Sequence, residues 1–467
     1  MTLDIEIDFA GRSFLAHQSL RRAKSASVRS DGWQEVTVED LKAASPNALA
    51  TGPFGSSISS KYFQSTGVPV IRGSNLSNDG RTPLVENDYA FVSPEKADEL
   101  DRASARKGDL IFTCWGTVNQ VGLIDKNAAY DRYIVSNKQM KLTPDPRKAN
   151  SRFLFYLFSS FDLQRRMRDL NIGSSVPGFN LGQLKSLRFQ VPPLAEQNAI
   201  AGVLEDVDNL IGALDALIAK KRALRSGSMQ QLTSGQIRLR GFQRMSGFRD
   251  TEVGLVPKDW ELRELRKVSS MHGRIGWQGL KQTEFNSNTD DPFLITGMNF
   301  KDGDIAWEEV YHVSLSRWKL APEIQLRTGD VLMTKDGTIG KLLYVSHIPS
   351  PGLATLNSHL LVFRPINKSF VPRFLYHQLQ SRRFMEYIEL TKSGSTFFGI
   401  GQGTTGRFQV MLPPIEEQEA IAKVLSEQDA EIAAEERRLQ KVKAIKLGMM
   451  EVLLSGRGRL ASSEAVA

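Results

Sequence analysis

The stretch that decides the fold is PPLAEQNAIAGVL (Pro192–Leu204), because it returns later in the chain as PPIEEQEAIAKVL (Pro413–Leu425). A shift of 221 positions superimposes the two copies. The same shift aligns LTSGQIRL (232–239) with LLSGRGRL (453–460), and GDLIFTCWGT (108–117) with GDVLMTKDGT (329–338). One offset that holds through so many landmarks indicates an internal duplication.

The C-terminal part of each copy predicts a long helix. After the double proline, which suits a helix start, apolar residues recur at alternating spacings of three and four for about four heptads. A run of roughly 37 residues would span about 55 Å. We expect the two helices to pack together as an antiparallel coiled coil, although two independent amphipathic helices on separate cores are the alternative. The second helix has Gln428, Glu431 and Glu435 where the first has apolar residues, so its seam is weaker at mid-length.

The N-terminal part of each copy predicts an α+β domain in which strands predominate. Short β-rich runs such as VPVIRG, GDLIFTC, DPFLITGM and LLVFRP alternate with Gly, Asn, Asp and Ser clusters, as in strands joined by turns. Between the shared landmarks the residues of the two copies mostly differ. Each copy therefore combines a reused scaffold with a surface of its own.

Composition narrows the class of protein without naming it. The chain has 467 residues with 41% apolar residues, and its 60 Lys and Arg exceed its 52 Asp and Glu by eight. A basic excess is compatible with a nucleic-acid partner or a membrane surface. The single cysteine, Cys114, excludes an internal disulfide and indicates a reducing compartment. With no export signal and no apolar run near the ~18 residues of a spanning helix, we expect a cytoplasmic protein without a membrane partner.

Motifs of catalysis are missing from the sequence. There is no GxxxxGK[ST] phosphate loop, no GxSxG elbow and no pair of histidines at zinc-ligand spacing. FFGIG (397–401) and DPF (291–293) are similar to methyltransferase motifs, but neither has the expected context, because the first does not follow a buried strand and the second lacks its second proline. We therefore expect no catalytic residue, no metal site and no cofactor.

The loops between the strands carry polar and basic side chains beside glycines. Such side chains suit base edges and phosphate oxygens, and glycine allows close approach of the backbone to a groove. Surface loops of other proteins have a similar composition. The indication of DNA binding therefore comes from the pairing of these loops across the repeat, because they differ between the copies while the flanking strands persist. The candidate DNA-binding residues are Ser56, Ser57, Lys61, Arg72, Ser74, Asn75, Thr117, Asn137, Lys138, Ser174, Ser175, Arg274, Trp277, Gln278, Lys281, Thr296, Asn299, Lys335, Thr338, Asn357, His359, Ser395 and Thr396.

A basic stretch lies near the end of each predicted helix. Eight basic residues and no acid occur over 220–249, and seven basic residues with one acid occur over 437–459. Two interpretations are open: a solvated helix face, or a surface that meets phosphates or an acidic partner.

The duplicated P-P-[LI]-x-E-Q segment, the S-G-x-[IG]-R-L endings and the G-D-[LV] strands together resemble the specificity subunits of Type I restriction-modification systems. The resemblance covers roughly Trp33 to Leu460. It implies two tandem target recognition domains separated by two long helices with pseudo-twofold symmetry, each domain reading one half of a bipartite asymmetric double-stranded DNA target. It also implies that the helices dock two modification (methyltransferase) subunits, that restriction subunits join the complex, and that methylation, translocation and cleavage belong to those partners.

The resemblance also assigns roles to positions and ranges. The spacer or subunit-docking residues on the helices would be Glu196, Gln197, Ile200, Leu204, Leu214, Glu417, Gln418, Ile421, Leu425, Ile432 and Leu439. The expected segments are an N-terminal arm at 1–31, recognition domains at 32–190 and 246–411, a first spacer helix and linker at 191–245, and a second spacer helix and tail at 412–467. Two alternative functions are a solitary DNA adenine methyltransferase with diverged motifs and a coiled-coil adaptor that binds protein.

Overall fold

A computed structural model describes residues 32–54, 57–116, 120–170, 178–243, 247–274, 279–301, 303–393 and 398–460. The chain divides into two compact units. Unit 1 comprises Met1–Ala213 and Leu439–Ala467, and unit 2 comprises Leu214–Arg438. Each unit therefore contains one copy of the strand-rich part together with a portion of both long helices.

Helices and strands of unit 1 follow the predicted α+β pattern. In chain order they are β1 (Gln34–Thr37), α1 (Val38–Leu41), β2 (Leu49–Thr51), β3 (Val68–Ile71), β4 (Ala90–Val92), α2 (Pro94–Glu99), β5 (Ser104–Ala105), β6 (Leu110–Thr113), β7 (Val121–Leu123), β8 (Tyr133–Val135), β9 (Gln139–Leu142), α3 (Ser151–Ser159), α4 (Phe161–Asp169), α5 (Leu181–Ser186), β10 (Arg188–Val191) and α6 (Leu194–Ser234), the last of which continues into unit 2.

Unit 2 contains most of the same elements in the same order, with two additional hairpins and without a strand equivalent to β5. Its elements are β11 (Phe248–Thr251), β12 (Gly254–Pro257), β13 (Glu261–Glu264), α7 (Leu265–Val268), β14 (Ser269–His272), β15 (Phe293–Ile295), β16 (Phe300–Lys301), β17 (Asp304–Ile305), β18 (Tyr311–His312), α8 (Leu315–Lys319), β19 (Val331–Thr334), β20 (Leu342–Tyr344), β21 (Ala354–Leu356), β22 (Leu360–Pro365), α9 (Pro372–Leu379), α10 (Arg382–Thr391), α11 (Gln402–Gly406), β23 (Gln409–Leu412) and α12 (Ile415–Leu453), which ends in unit 1.

The sheets of the two units share one topology. An antiparallel sheet has the order β2-β9-β6-β7 in unit 1 and β14-β22-β19-β20 in unit 2. The other principal sheet is mixed, with order β4-β3-β8-β5 and β3 parallel to β8. Its counterpart β18-β15-β21 has β15 parallel to β21, and a Gln325–Thr355 bridge replaces the strand equivalent to β5. The duplication thus extends from sequence to strand pairing.

Each unit has two hydrophobic cores. In unit 1 one core joins the antiparallel sheet, helix α3 and the start of α6, and includes Phe112, Phe153 and Leu204. Helix α3 is apolar on nearly all sides because residues 153–158 are all buried. The equivalent core of unit 2 includes Phe363 and Phe374. Each such side chain contributes roughly 1.5–3 kcal/mol when it is fully buried, so these cores hold the recognition domains to the helices.

The two long helices pair antiparallel within each unit, as predicted. Helix α6 has 41 residues and α12 has 39. In unit 1 the start of α6 shares a core with the end of α12, through Ile200 and Leu453 among others. In unit 2 the end of α6 shares a core with the start of α12, through Leu232 and Leu425.

A glycine lies just beyond the end of each long helix. Gly235 has φ +72° and Gly456, its equivalent, has φ +70°. Both values lie in the left-handed region that glycine adopts without strain, and such a residue ends a helix by turning the chain away from its axis. The shared S-G dipeptide is therefore a helix stop in both copies.

Of the seven apolar positions assigned to the helices, six are buried: Ile200, Leu204, Leu214, Ile421, Leu425 and Leu439. Ile432 is half-buried. The weaker mid-length seam of α12 has a structural counterpart, because Glu431 forms an ion pair with Lys221 of α6 at 2.9 Å. Within the described residues, no helix is long and apolar enough to cross a membrane.

Candidate nucleic-acid interface

Main-chain hydrogen bonds bring the predicted loops of unit 1 together. The Cys114 amide donates to the carbonyl of Lys138 at 2.8 Å, and the Phe179 amide donates to the carbonyl of Cys114 at 3.0 Å. The Gly52 amide donates to the carbonyl of Gln139 at 2.9 Å. Loops that are distant in sequence therefore meet at the ends of β2, β6 and β9. We call this set of loops the loop framework.

Unit 2 builds the same loop framework with equivalent bonds. The Lys335 amide donates to the carbonyl of His359 at 2.9 Å, and the Ile400 amide donates to the carbonyl of Lys335 at 2.8 Å. Both bonds are related to those of unit 1 by the 221-position shift. Because main-chain atoms make them, the framework tolerates different side chains in the two copies.

Glycine is required at one point where the framework is tightest. A Cβ atom at Gly52 would lie 1.9 Å from the carbonyl oxygen of Ser136, which is far inside van der Waals contact. Its equivalent Gly273 would place a Cβ 2.9 Å from the carbonyl oxygen of Leu360. These glycines thus allow the neighbouring loops to pack closely against each other.

Most of the described candidate residues keep accessible side chains. Exposed are Ser57, Lys61, Ser74, Asn137, Lys138, Lys281, Thr338 and His359. Half-buried are Arg72, Thr296, Lys335 and Asn357. Of these, the Arg72 guanidinium donates to the carbonyl of Asp88 and the Thr296 hydroxyl donates to Asn299 at 2.8 Å. Their roles in contacting DNA stay predictions.

Three candidates are buried, whereas the sequence predicted that they contact DNA. Asn75 is fully buried, and its side chain accepts from the Arg72 amide and donates to the carbonyls of Val85 and Asn87. Asn299 is buried in the same way. These side chains stabilise a short turn after the strand, because buried amides must be hydrogen-bonded, and they are not available to base edges in this conformation.

Arg274 is the third of these candidates. Its guanidinium is buried and donates to the carbonyl of Leu356 at 3.0 Å and to the hydroxyl of Thr355 at 3.2 Å. Burial, together with the nearby Arg317 guanidinium, lowers the pKa of Arg274 to about 10. Arg274 therefore supports β21 from within the domain.

Some predicted residues lie outside the described part of the chain. They are Ser56, Thr117, Ser174, Ser175, Trp277, Gln278, Ser395, Thr396 and the arm at 1–31.

Sequence reasoning missed the exposed apolar side chains of these loops. Phe54 and Trp115 are exposed in unit 1, and Met298 and Phe398 are exposed in unit 2. Each lies beside a glycine or a run of polar residues, which is the signal that could have found them. Apolar side chains on a DNA-facing loop can pack on a thymine methyl group or insert between base steps.

The glutamines of the P-P-[LI]-x-E-Q motif join helix, strand and domain. The buried Gln197 side chain accepts from the Asn150 amide at 3.0 Å and donates to the carbonyl of Pro192 at 2.9 Å. Gln418 makes the same two bonds, at 2.9 and 2.8 Å, to the residues related by the 221-position shift. Each glutamine thus anchors the start of its long helix to the recognition domain of its own unit.

The glutamates of the motif pair with the arginine of the S-G-x-[IG]-R-L ending of the other helix. In unit 2 the fully buried Glu417 carboxylate contacts the Arg238 guanidinium at 2.6 Å, and it accepts from the Trp260 indole at 3.2 Å. Asp259 binds the same guanidinium at 3.0 Å. In unit 1, Glu196 and Arg459 lie 4.0 Å apart. We call this feature of each unit the end clamp.

A second pair of charges joins the helices further along. In unit 2 the Arg225 guanidinium contacts both carboxylate oxygens of Asp429 at 2.8 and 3.0 Å, and also His377 Nδ1 at 3.2 Å and Gln380 Oε1 at 2.8 Å. Burial, together with the Arg225 and Arg373 guanidiniums, lowers the pKa of His377 to about 3. His377 is therefore a neutral acceptor.

In unit 1 the acid is again an aspartate, whereas lysine and tyrosine stand at the places of Arg225 and His377. The Lys446 ammonium lies 2.8 Å from Asp208 and donates to the carbonyl of Gly80 at 2.9 Å. The Tyr156 hydroxyl donates to the same carboxylate at 2.8 Å. Each unit thus has an ion pair between α6 and α12 that also touches the recognition domain. We call this feature of each unit the interhelical ion pair.

These contacts explain much of the basic stretch over 220–249. Lys221, Arg222 and Arg225 pair with Glu431, Glu436 and Asp429 of α12, and Arg238 pairs with Glu417. These residues therefore pair with acids of the same chain, although the Arg222 side chain remains 65% exposed, as on a solvated face. Antiparallel pairing places the acid-rich start of α12 beside the basic end of α6, which the sequence pattern did not show.

Two homologous strand-rich units, each with a loop framework and each tied to a shared pair of antiparallel helices, define a duplicated recognition protein. The sequence signature of the Type I restriction modification DNA specificity domain matches residues 31–220 and again residues 257–444. The chain belongs to this family. It is a non-catalytic specificity subunit that recognises DNA, rather than a solitary methyltransferase or a protein-binding adaptor.

Two relatives from Methanocaldococcus jannaschii have related sequences over much of the chain. The type I restriction enzyme MjaVIII specificity subunit is 25% identical over 334 residues, which cover 70% of this chain and 75% of the relative. The proposed MjaX specificity subunit is 23% identical over 457 residues, which cover 96% of this chain and 98% of the relative.

Two solved structures have the same fold. The S subunit of a Type I restriction-modification system from M. genitalium matches with a TM-score of 0.54 at 15% identity, covering 91% of this chain and 97% of that one. A chain from a study of assembly and conformational transition of the type I system matches with a TM-score of 0.52 at 16% identity, covering 91% and 98%.

Proposed function

We propose that each unit reads one half of a bipartite, asymmetric double-stranded DNA target, and that the chain thereby directs methylation and restriction by its partner subunits. The observation that carries this proposal is the repeated loop framework. The same main-chain bonds hold the loops in both units, while the exposed side chains on them differ. Two copies of one scaffold with two surfaces suit the recognition of two different half-sites.

The partners follow from the same repeat. A chain with internal pseudo-twofold symmetry suits two identical modification subunits, which would dock on helices α6 and α12, and restriction subunits would join through that complex. The recognition domains would extend over 32–190 and 246–411, with the spacer segments at 191–245 and 412–467 and an arm at 1–31. We propose that the complex acts in the cytoplasm, where it would meet DNA.

Adenine-methylation mapping in the source cell tests this function. Cells with the gene should show one bipartite methylated motif, and cells lacking the gene should lose that motif and no other. Restoring the gene on a plasmid should return it. Persistence of every methylated motif after deletion would contradict the proposal.

A change in helix length tests the role of the spacer. Inserting or deleting a few residues within Glu196–Leu232 should alter the number of base pairs between the half-sites and leave the sequence of each half-site unchanged. Methylation mapping of the variant reads both quantities at once. A variant that methylates the original motif with its original gap would exclude a spacer role for this helix.

A further inference from the structure

Two equivalent positions of the loop framework differ sharply in chemistry between the units. Unit 1 has Trp115 and Lys138, and unit 2 has Asp336 and His359 at the places reached by the 221-position shift. In each unit a main-chain bond joins the two loops next to these positions. The main chain therefore holds these two positions next to each other, whichever side chains they carry.

In unit 2 the two side chains are in direct contact and open to solvent. The Asp336 carboxylate oxygen Oδ1 lies 2.6 Å from His359 Nδ1, and the side chains are 25% and 56% exposed, respectively. A main-chain bridge between Asp336 and Gly399 fixes the backbone of the acid. Within the described residues, no hydrogen bond engages the other carboxylate oxygen, Oδ2. The pair therefore presents a partly exposed carboxylate at the loop framework.

The fold itself does not require this acid. Unit 1 makes the equivalent framework bonds with Trp115 at the same position, because those bonds use main-chain atoms only. A carboxylate on a surface that meets phosphates is repelled by them unless it binds something specific. In the major groove, carboxylates accept hydrogen bonds from exocyclic amino groups, with cytosine N4 as the common partner.

We propose that Asp336 is a specificity-determining residue of unit 2, which accepts a hydrogen bond from the exocyclic amino group of a cytosine or an adenine in the half-site. His359 is its positioning residue, because its Nδ1 lies 2.6 Å from Oδ1 and thereby restricts the orientation of the carboxylate. This inference rests on the proposed function and adds the chemistry of one contact to it.

The test uses the chain assembled with its modification subunits. Its binding is measured to duplexes that carry each of the four base pairs at each position of the mapped half-site. In the wild type, one position should require an amino-bearing base, and Asp336→Ala should lower discrimination at that position alone by about 10- to 100-fold. Asp290→Ala, which removes an exposed carboxylate elsewhere in unit 2, should leave discrimination unchanged.

Variants of His359 separate positioning from folding. His359→Ala should lower discrimination at the same base pair by a smaller factor, and His359→Asn, whose side-chain amide nitrogen can replace Nδ1, should restore most of it. The inference fails if Asp336→Ala keeps full discrimination at every position, or if it weakens binding to all duplexes equally. A wild-type complex without any sequence preference would instead overturn the proposed function itself.

Discussion

The end clamps of the two units use equivalent residues and differ in strength. In unit 2 the Glu417 and Arg238 side chains are 0% and 11% exposed and lie 2.6 Å apart. In unit 1 the Glu196 and Arg459 side chains are 21% and 48% exposed and lie 4.0 Å apart. An ion pair gains strength as water is excluded, and the loss of one partner then leaves a buried charge.

Hairpin β11–β12 accounts for part of this difference. It precedes Trp260, and its Arg249 side chain donates to the carbonyl of Trp260 at 2.8 Å, while Asp259 adds a second carboxylate to Arg238. In unit 1, Glu196 accepts from the Trp33 indole at 3.4 Å, and Trp33 is only half-buried. Duplication has thus preserved the contact pattern, while local additions changed its energetics.

The largest effect is expected from removing the clamp arginines. Arg238→Ala should lower the free energy of unfolding by about 3–5 kcal/mol, because Glu417 remains as a buried unpaired charge. Arg459→Ala is the matched control in unit 1 and should cost about 1 kcal/mol or less. Denaturant unfolding of the full chain, followed by tryptophan fluorescence, measures both. Equal losses of unfolding free energy for the two variants would contradict the difference in strength between the two end clamps.

A substitution in the interhelical ion pair of unit 2 tests whether lysine can replace arginine at this position. Arg225→Lys should cost roughly 1.5–3 kcal/mol, because the bidentate contact with Asp429 is lost. His377→Tyr, made in the Arg225→Lys background, installs the lysine and tyrosine of unit 1 and should recover part of this loss.

A double-mutant cycle on these two substitutions measures their coupling. If the effects of the two substitutions are strictly additive, the lysine and tyrosine taken from unit 1 do not interact when they are placed in unit 2.

The glutamines of the repeated motif should behave alike, since their contacts are alike. Gln197→Ala and Gln418→Ala should each cost about 1–3 kcal/mol by leaving buried main-chain groups without partners. Gln440→Ala, at an exposed position on α12, is the control. Clearly unequal losses for Gln197 and Gln418 in thermal or denaturant unfolding would contradict the equivalence of the two anchors.

The smallest effect concerns pH and belongs to unit 2 alone. Because the folded state holds the pKa of His377 at about 3, below its value in the unfolded chain, only the unfolded state takes up a proton as pH falls. This group therefore leaves the free energy of unfolding unchanged above about pH 6.5. Below that pH it lowers the free energy of unfolding by up to about 1.4 kcal/mol per pH unit. Unfolding at pH 7 and pH 5 should therefore show a steeper decline for the wild type than for His377→Gln.

The equivalent position in unit 1 supplies the control for this measurement. Tyr156→Phe should give a pH dependence parallel to that of the wild type, since no tyrosine titrates in this range. Parallel curves for the wild type and His377→Gln would mean that His377 is not the group responsible.

Much of the architecture could be predicted because its signals are local or repeated. The double proline, the 3-4 spacing and the S-G stop mark each long helix within the sequence that forms it, and the 221-position offset reports the duplication directly. The strand-rich runs predicted the α+β class. The turns between the strands were predicted, because glycine and polar clusters mark them, but the bonds that join them into the loop framework were not.

The remaining features depend on contacts between residues that are far apart in the chain. Asn75, Asn299 and Arg274 have the composition of a DNA-binding loop, yet burial turns them into supports for turns and strands. The basic residues after Lys220 face acids about 200 positions away. The exposed apolar residues Phe54 and Trp115 carry no periodic signal, because each occurs once in an irregular loop.

By itself, then, the sequence determined the duplication, the two long helices and the class of the strand-rich units, since these follow from spacing along the chain. Only the tertiary structure decided which polar side chains are buried, which charges pair across the helices, and that Asp336 lies against His359. The physical reason is that burial and charge pairing depend on distances in space, which the order of residues alone does not specify.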